Sequence, residues 1–286
     1  MHAPDPPATD ALGQTFDAAG PQARIASLVP SLTETLCALG LREQIVARTG
    51  FCVHPRAEVR AIPKVGGTKD VHLDALRALQ PTHVLVNIDE NTRDTVDALR
   101  RFVPHILVTH PQTPQDNLHL FRLLGAAFGK VQGTVERAAG FSSALQSVLA
   151  ELHASHFVAR KVLYLIWRAP WMTVARDTYI SRSLAVVGWH TLPEQIGGDG
   201  LHQPGSARYP EFDWSADWLD AVDCVLLSRE PYRFGAAHAE EVRSLLAARG
   251  LHPEVRCIPG EWASWYGVRA IDGLRQLAAS ARSRPG

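Results

Sequence analysis

Residues 75–91, Ala75 to Asn91, read ALRALQPTHVLVNIDEN, and residues 218–232, Trp218 to Tyr232, read WLDAVDCVLLSREPY. Each is the end of an amphipathic helix, a short connection, an apolar strand (Val84-Leu85-Val86 and Val225-Leu226-Leu227) and a polar tip with a glutamate, Glu90 or Glu230. Ligands of open α/β sheets bind outside the carboxyl ends of the strands, so two lobes with equivalent acidic tips predict one cleft lined from both sides. The echo is a weak two-fold one, distinct from a short-period solenoid.

Working outward, strand and helix patterns alternate. A strand over 24–29 (RIASLV) leads into Ser31-x-x-Glu34, the form of a capping box, and a helix over 32–39 stopped by Gly40. Further strands are expected at 45–49, 84–86 and 106–108, with helices near 71–79, 92–102 and 114–128. From about 133 to 157 a helical stretch carries Phe141, Leu145, Val148, Leu149 and Leu152 at helical spacing. Beyond it come strands at 161–167, 172–174, 225–227 and 255–258. Helices are expected at 178–187, 215–221 and 237–249, with a final helix after the last strand to about 281 and a glycine-rich loop over 197–205. This alternation predicts an α/β fold of two lobes with mainly parallel sheets joined by one long backbone helix. The expected divisions are a disordered tail at 1–23, an N-terminal lobe at 24–132, the connecting helix at 133–158 and a C-terminal lobe at 159–286.

Composition narrows the function. Lys+Arg and Asp+Glu both number 29, so no basic field points to nucleic acid or an anionic membrane surface. No apolar run has the length of a membrane-spanning helix, and no membrane insertion is expected. The start of the chain has Asp5, Asp10 and Asp17 but neither the basic nor the apolar part of a secretory signal, which predicts a cytoplasmic protein as written, or a periplasmic one if the true start lies upstream. Cys37, Cys52, Cys224 and Cys257 are far apart, and no disulfide framework is expected.

All seven Trp and all five Tyr lie between Tyr164 and Tyr266. Trp167, Trp171, Tyr232, Trp262, Trp265 and Tyr266 stand where strands end, and such side chains offer broad apolar faces to a flat or ring-bearing ligand. Trp214 and Trp218, four apart, read better as core. Glu90, Glu230 and Glu261 follow three different strands and would form an acidic ring suited to a cation, a metal or ligand amides. Asp177 and Tyr179 are further candidates to hydrogen-bond a ligand, or else a helix cap and a packed ring. Cys52 and His54 form a short soft pair for a metal, against a structural role. Lys69 after Gly66-Gly67 lacks the spacing of a phosphate loop, and neither a zinc-protease motif, a nucleophile elbow nor a dinucleotide fingerprint is present. No covalent cofactor and no catalytic residue is expected.

SLVPSLTETLCALG, VGGTKDVHLDALRALQPTHVLVN, the long helix and PGEWASWYG together resemble the cobalamin-binding, BtuF-like branch of the helical-backbone metal receptor superfamily, over about residues 24–280. These are substrate-binding proteins of ABC importers for vitamin B12, iron siderophores and haem. The resemblance implies the class III two-lobe architecture, a corrinoid or other metal chelate as ligand, and Glu261-Trp262 as the acid–Trp pair of the last cleft loop. It also implies an ABC permease as partner, which family members meet with one glutamate on each lobe. Here the first of these positions reads Arg93, and Glu240 or Glu241 answers to the second. The loops FCVHP, NIDEN, SREPY and EWASWYG are similar to those of a signal-less subgroup. The rival reading is a cytoplasmic metal- or cofactor-handling protein, a metallochaperone or enzyme, using the same cleft.

Overall fold

The run Ile25–Ser27 forms strand β1 and leads straight into helix α1 (Pro30–Ala38). The computed structural model describes residues 8–200 and 205–283. Helix α1 begins two residues earlier than the expected capping box requires. Pro30 takes the first helical position, where its fixed φ fits and its missing N–H costs no bond, and Val29 is the extended cap residue. Ser31 therefore lies inside the helix, and the Glu34 carboxylate pairs with Arg269, whose Nε stands 2.7 Å from Oε2. Gly40, at φ +80, ends the turn that follows.

The chain continues through β2 (Ile45–Arg48), α2 (Arg56–Val59), α3 (Leu73–Ala78), β3 (His83–Asn87), α4 (Arg93–Leu99), β4 (His105–Thr109) and α5 (Asp116–Ala127). Helix α4 is capped by Thr92, whose hydroxyl accepts from Thr95 N. The four strands form one parallel sheet in the order β2-β1-β3-β4. Ala26, Ala47, Val84, Val86, Ile106 and Val108 face one core with Leu76, Leu99 and Val103. Ile25, Leu85 and Leu107, which alternate with them, are buried as well. A parallel sheet covered on both faces explains why these strands read as continuous apolar runs.

The expected disordered tail is docked for residues 8–23. Asp10, only 5% exposed, accepts hydrogen bonds from Leu12 N, Gln14 N and, 98 residues away, Val108 N. Ala11 N donates to Val108 O and Ala19 N to Ala127 O. The segment thus meets β4, an edge strand, at Val108 and gives the backbone groups there the partners an open edge lacks. Residues 1–7 lie outside the described part.

Helix α6 (Thr134–Ala154) follows. The chain divides into two compact units, and the division falls within this helix, between Gln146 and Ser147. Residues 266–269 belong with the first unit and Trp265 with the second.

The second unit contains β5 (Arg160–Leu165), α7 (Tyr179–Ala185), β6 (Trp189–Thr191), α8 (Gly205–Arg208), β7 (Cys224–Ser228), α9 (Ala236–Ala247), β8 (Glu254–Ile258), α10 (Glu261–Ser264) and most of α11 (Arg269–Arg282). Its sheet is again parallel, in the order β6-β5-β7-β8, which repeats that of the first. Leu163, Leu165, Val225, Leu227 and Val255 form its core with Leu219, Val242 and Leu246. Two local expectations fail here. Met172 joins no strand: it makes isolated bridges to Trp167 and Glu211, so 167–172 folds back on itself. One edge strand, β6, has only three residues with exposed His190 between Trp189 and Thr191, too short for a periodic signal. The expected helix at 215–221 is a 3-10 turn, Asp217–Ala221. The glycine-rich loop expected at 197–205 is described only in part, since 201–204 lie outside the described residues.

Candidate functional site

Strand order fixes where each unit can host a ligand. In the first sheet, the chain leaves β1 for β2 on one side and then returns to β3 on the other. In the second, β5, β6 and β7 do the same. The loops after β1 and β3, and after β5 and β7, therefore diverge and leave a crevice at the carboxyl edge. Strands β3 and β7 hold the same place in their sheets, and they are the two strands of the repeated sequence. Glu90 and Glu230 thus follow topologically equivalent strands.

In the second unit, Trp167 follows β5 and Tyr232 follows β7. Their rings meet edge-to-face at 5.4 Å, across the diverging loops. Trp167 stays 40% exposed, unusual for so large an apolar side chain. Tyr232 packs on Phe234 at 4.6 Å, and its hydroxyl stands 3.3 Å from His238 Nε2. Beside them, Trp265 Nε1 donates to Glu230 Oε2 at 3.0 Å, and Glu230 N donates to Ser228 Oγ at 3.3 Å. Gly260 packs so closely on Ser228 and Glu230 that a Cβ there would meet Glu230 O at 2.9 Å. Only glycine lets the start of α10 approach this tip. Glu261 and Trp262, half-buried, open α10, which packs against α7. Behind the tip, Tyr164 of β5 is fully buried, and its hydroxyl makes no hydrogen bond of ordinary geometry. Ser228, Glu230 and Glu261 are its polar neighbours, and burial pushes the phenol pKa upward. Nothing in the sequence marks Tyr164 out from the other residues of an apolar strand.

In the first unit, Tyr266 donates its hydroxyl to Glu90 Oε1 at 2.9 Å. The ring is 5% exposed, and burial, with the carboxylate beside it, raises the phenol well above its ordinary pKa, so it remains a donor. Tyr266 is held by its neighbours: Gly267 N donates to Asn117 Oδ1 at 2.5 Å and Val268 N to Thr35 Oγ1 at 3.1 Å. Asn91, next to Glu90, ties the loops together by donating to Thr68 O at 2.8 Å, while its Oδ1 accepts from Asn87 N. Gly66 sits at φ +97, and Gly67 N donates to Asp70 O at 2.7 Å, which turns the loop sharply and leaves Lys69 exposed.

The FCVHP loop after β2 divides in its burial. Cys52 is fully buried, its Sγ 3.1 Å from Thr49 Oγ1. Burial raises its thiol pKa, whereas metal ligation needs the thiolate. His54 is half-buried and precedes the cis bond to Pro55. Among the described residues, no group of three or more His, Cys, Asp or Glu is placed to hold a metal ion. Phe51, by contrast, is 62% exposed, and its ring lies against Gly67. Sequence reasoning centred on Trp and Tyr passed it over, although its place just after a strand was the available signal.

The remaining candidates are placed as follows. Tyr179 is buried in the first turn of α7, capped by Thr178. Asp177, also buried, accepts from Gly197 N and Gly198 N and so anchors a loop. Trp171 meets Trp214 edge-to-face and stacks parallel to Phe234, and Trp171, Trp214 and Trp218 pack on the core of the second unit. Arg93 is exposed at the start of α4 near Asp97, Glu240 is exposed beside Arg243, and Glu241 takes a fork of hydrogen bonds from Arg168.

The model of the periplasmic binding protein family matches residues 25–204, well over half of the chain. This chain belongs to the periplasmic binding protein family. The family and the solved structures below are named as binding proteins. Among curated relatives of this binding protein, the vitamin B12-binding protein of Pectobacterium atrosepticum is 25% identical over 58% of this chain, and the match spans only 60% of that protein. The vitamin B12-binding protein of Vibrio vulnificus strain CMCP6 is 21% identical over 93% of this chain and 86% of its own length. Two solved structures share the fold. The periplasmic vitamin B12 binding protein BtuF of Vibrio cholerae superposes with a TM-score of 0.72 at 16% identity, covering 92% of this chain and 98% of that one. The periplasmic heme binding protein HutB of Vibrio cholerae gives 0.70 at 21% identity, covering 92% and 100%. The expected α/β architecture with two parallel sheets is thus the architecture of the family. Among the described residues no helix is long and apolar enough to cross a membrane.

Proposed function

We propose that this periplasmic binding protein captures a corrinoid, or a related metal-bearing macrocycle, at the carboxyl ends of its strands. The observation that carries the reading is the Trp167–Tyr232 pair, an exposed indole braced edge-on by a phenol where the loops of the second sheet diverge. A flat ring is the ligand such faces suit, and a few fixed polar groups around them set its orientation. The vitamin B12- and haem-binding relatives support a metal chelate as the class, and the curated relatives favour the corrinoid. In this reading, within the second unit, Trp167, Tyr232 and Trp262 supply apolar faces and Glu230 and Glu261 accept hydrogen bonds from the rim; in the first unit, Phe51 and Glu90 stand at the corresponding carboxyl-end loops. Trp265 and Tyr266 act through the glutamates they hold. Capture is non-covalent, and no bond of the ligand is made or broken.

The permease partner belongs to the proposal as well. Glu240 is the acid of the second unit better placed to meet a partner's cation, because its side chain is 72% exposed with a single contact to Arg243, whereas Glu241 is 33% exposed and held by a fork from Arg168. Exposed Arg93 would repel a cation at the corresponding point of the first unit. Titration with cobalamin, cobinamide, haem and divalent metals, followed by tryptophan fluorescence, tests the reading. Saturable binding of a macrocycle that Trp167→Ala or Trp262→Ala weakens is expected; binding of free metal alone contradicts it and favours the metal-handling alternative.

A further inference from the structure

The second unit buries a hydroxyl beneath its strand tips. Tyr164 lies on β5 opposite Leu226 of β7, and its backbone oxygen accepts from Thr173 Oγ1 at 2.8 Å. Leu163 and Leu165 on either side of it face the core, so the alternation of a strand sends Tyr164 to the other face. Ser228 follows Leu226 by two residues on that same face, and Ser228, Glu230 and Glu261 are the polar groups around the phenol. The ring therefore carries its hydroxyl toward the carboxyl edge of the sheet, where the loops after β5 and β7 diverge. We propose that the Tyr164 hydroxyl donates a hydrogen bond to an sp2 oxygen on the rim of the captured ligand, an amide or a carboxylate oxygen. This rests on the macrocycle reading above and adds to it a donor within the second unit.

Burial sets this hydroxyl apart. Tyr164 is 0% exposed, and among the described residues its oxygen takes part in no hydrogen bond of ordinary geometry. Ser228 Oγ is committed elsewhere, donating to Glu230 O and accepting from Glu230 N at 3.3 Å. Buried phenols ordinarily have a partner, and one without it is costly. Burial also raises the phenol pKa, so the group remains a donor. Its acidic neighbours Glu230 and Glu261 are half-buried, which puts the hydroxyl a side chain's depth below the surface. The exposed Trp167 and the Tyr232 ring against it follow the same two strands, β5 and β7, and would bring a flat ligand to this edge. A rim group that draws either carboxylate toward itself opens the way to the phenol. A donor whose partner arrives with the ligand burdens the free chain and favours the complex, so a single substitution separates the two effects.

Tyr164→Phe removes the hydroxyl and keeps the ring. Urea denaturation of the full chain is expected to place the midpoint of the variant at or above that of the wild type, because no bond of the free chain is lost. Calorimetric titration uses dicyanocobinamide, whose rim carries amides, and haem, whose rim carries carboxylates. The variant is expected to bind at least about fivefold more weakly whichever macrocycle the wild type binds, the effect of one hydrogen bond. Loss with cobinamide identifies an amide oxygen as the acceptor, and loss with haem a carboxylate. A lower midpoint, or a variant that fails to fold, would mean that the hydroxyl already bonds in the free chain, to Ser228 or to a buried water, and overturns the proposal. Equal affinity of variant and wild type for the bound macrocycle also overturns it and leaves the macrocycle reading standing. Binding of neither macrocycle by the wild type overturns both.

Discussion

Tyr266 Oη donates to Glu90 Oε1 at 2.9 Å, a bond between residues 176 apart in sequence, made by a buried phenol that burial and the carboxylate keep protonated. It fixes the tip that follows β3, and the equivalent tip after β7 is fixed by the next residue back, Trp265, through Glu230. One short stretch of the EWASWYG loop thus supplies the donor for each of the two glutamates that the repeated sequence marks.

Replacing Tyr266 with Phe keeps the packed ring and removes the donor. Hydrogen bonds to charged groups contribute about 1.5–3 kcal/mol. Urea denaturation is expected to show a loss of about that size, with an unchanged m-value. Glu90→Ala is expected to cost at least as much, because it leaves the buried phenol without this acceptor. No change in either variant would mean that the bond does not form in solution.

Asp10 predicts that the start of the chain is structural. Its carboxylate satisfies three backbone N–H groups, one of them on β4. Asp10→Ala is expected to lower stability by about 2 kcal/mol, as loss of buried partners does. Amide exchange should quicken at Val108 while Val84 stays protected. A tail without structure would give neither effect.

His83 predicts a pH dependence. Its ring, 6% exposed, stacks on His105 at 4.7 Å, meets Phe128 edge-on and lies 2.8 Å from Thr82 Oγ1. Burial, and secondarily the His105 charge, lower its pKa from 6.5 to about 4. The unfolded chain therefore binds the proton more readily. The stability due to neutral His83 is complete above pH 6.5 and is lost as the pH falls toward 4, by up to about 3 kcal/mol. Denaturation midpoints measured from pH 7.5 to 4.5 should fall, and the His83→Phe variant should flatten that slope. A slope unchanged by the substitution would assign it to other groups.

Much of this architecture was legible because parallel strands covered on both faces leave continuous apolar runs, as in Val84–Val86 and Val225–Leu227. The repeat of tip and strand located β3 and β7, which occupy equivalent places in the two sheets. What escaped depends on contacts distant in sequence or on competition at a single residue. Asp10 reads as a solvated acid until Val108 is beside it. Ser31 and Glu34 have capping-box spacing, yet Pro30 claims the start of the helix. Strand β6 is only Trp189–Thr191, which no periodicity can mark. At the site, the strand-end positions of Glu90, Glu230 and Tyr232 could be read locally, while the partners that orient the glutamates, Tyr266 and Trp265, could be assigned only from the folded chain.

Trp167 separates stability from binding. Its side chain is 40% exposed, so Trp167→Ala is expected to change the unfolding free energy by less than about 1 kcal/mol. The same change should weaken macrocycle binding by about tenfold or more, as loss of a stacking face does. Equal affinity in the variant would remove Trp167 from the site.

The most direct test of the central claim is calorimetric titration of the full chain with cobinamide, with the Trp167→Ala variant measured alongside. Saturable binding at one site, micromolar or tighter (about −8 kcal/mol or better), and weakened in the variant, is the result expected. Absence of binding heat across temperatures, with no shift in melting temperature at saturating cobinamide, would contradict capture of a corrinoid by this periplasmic binding protein.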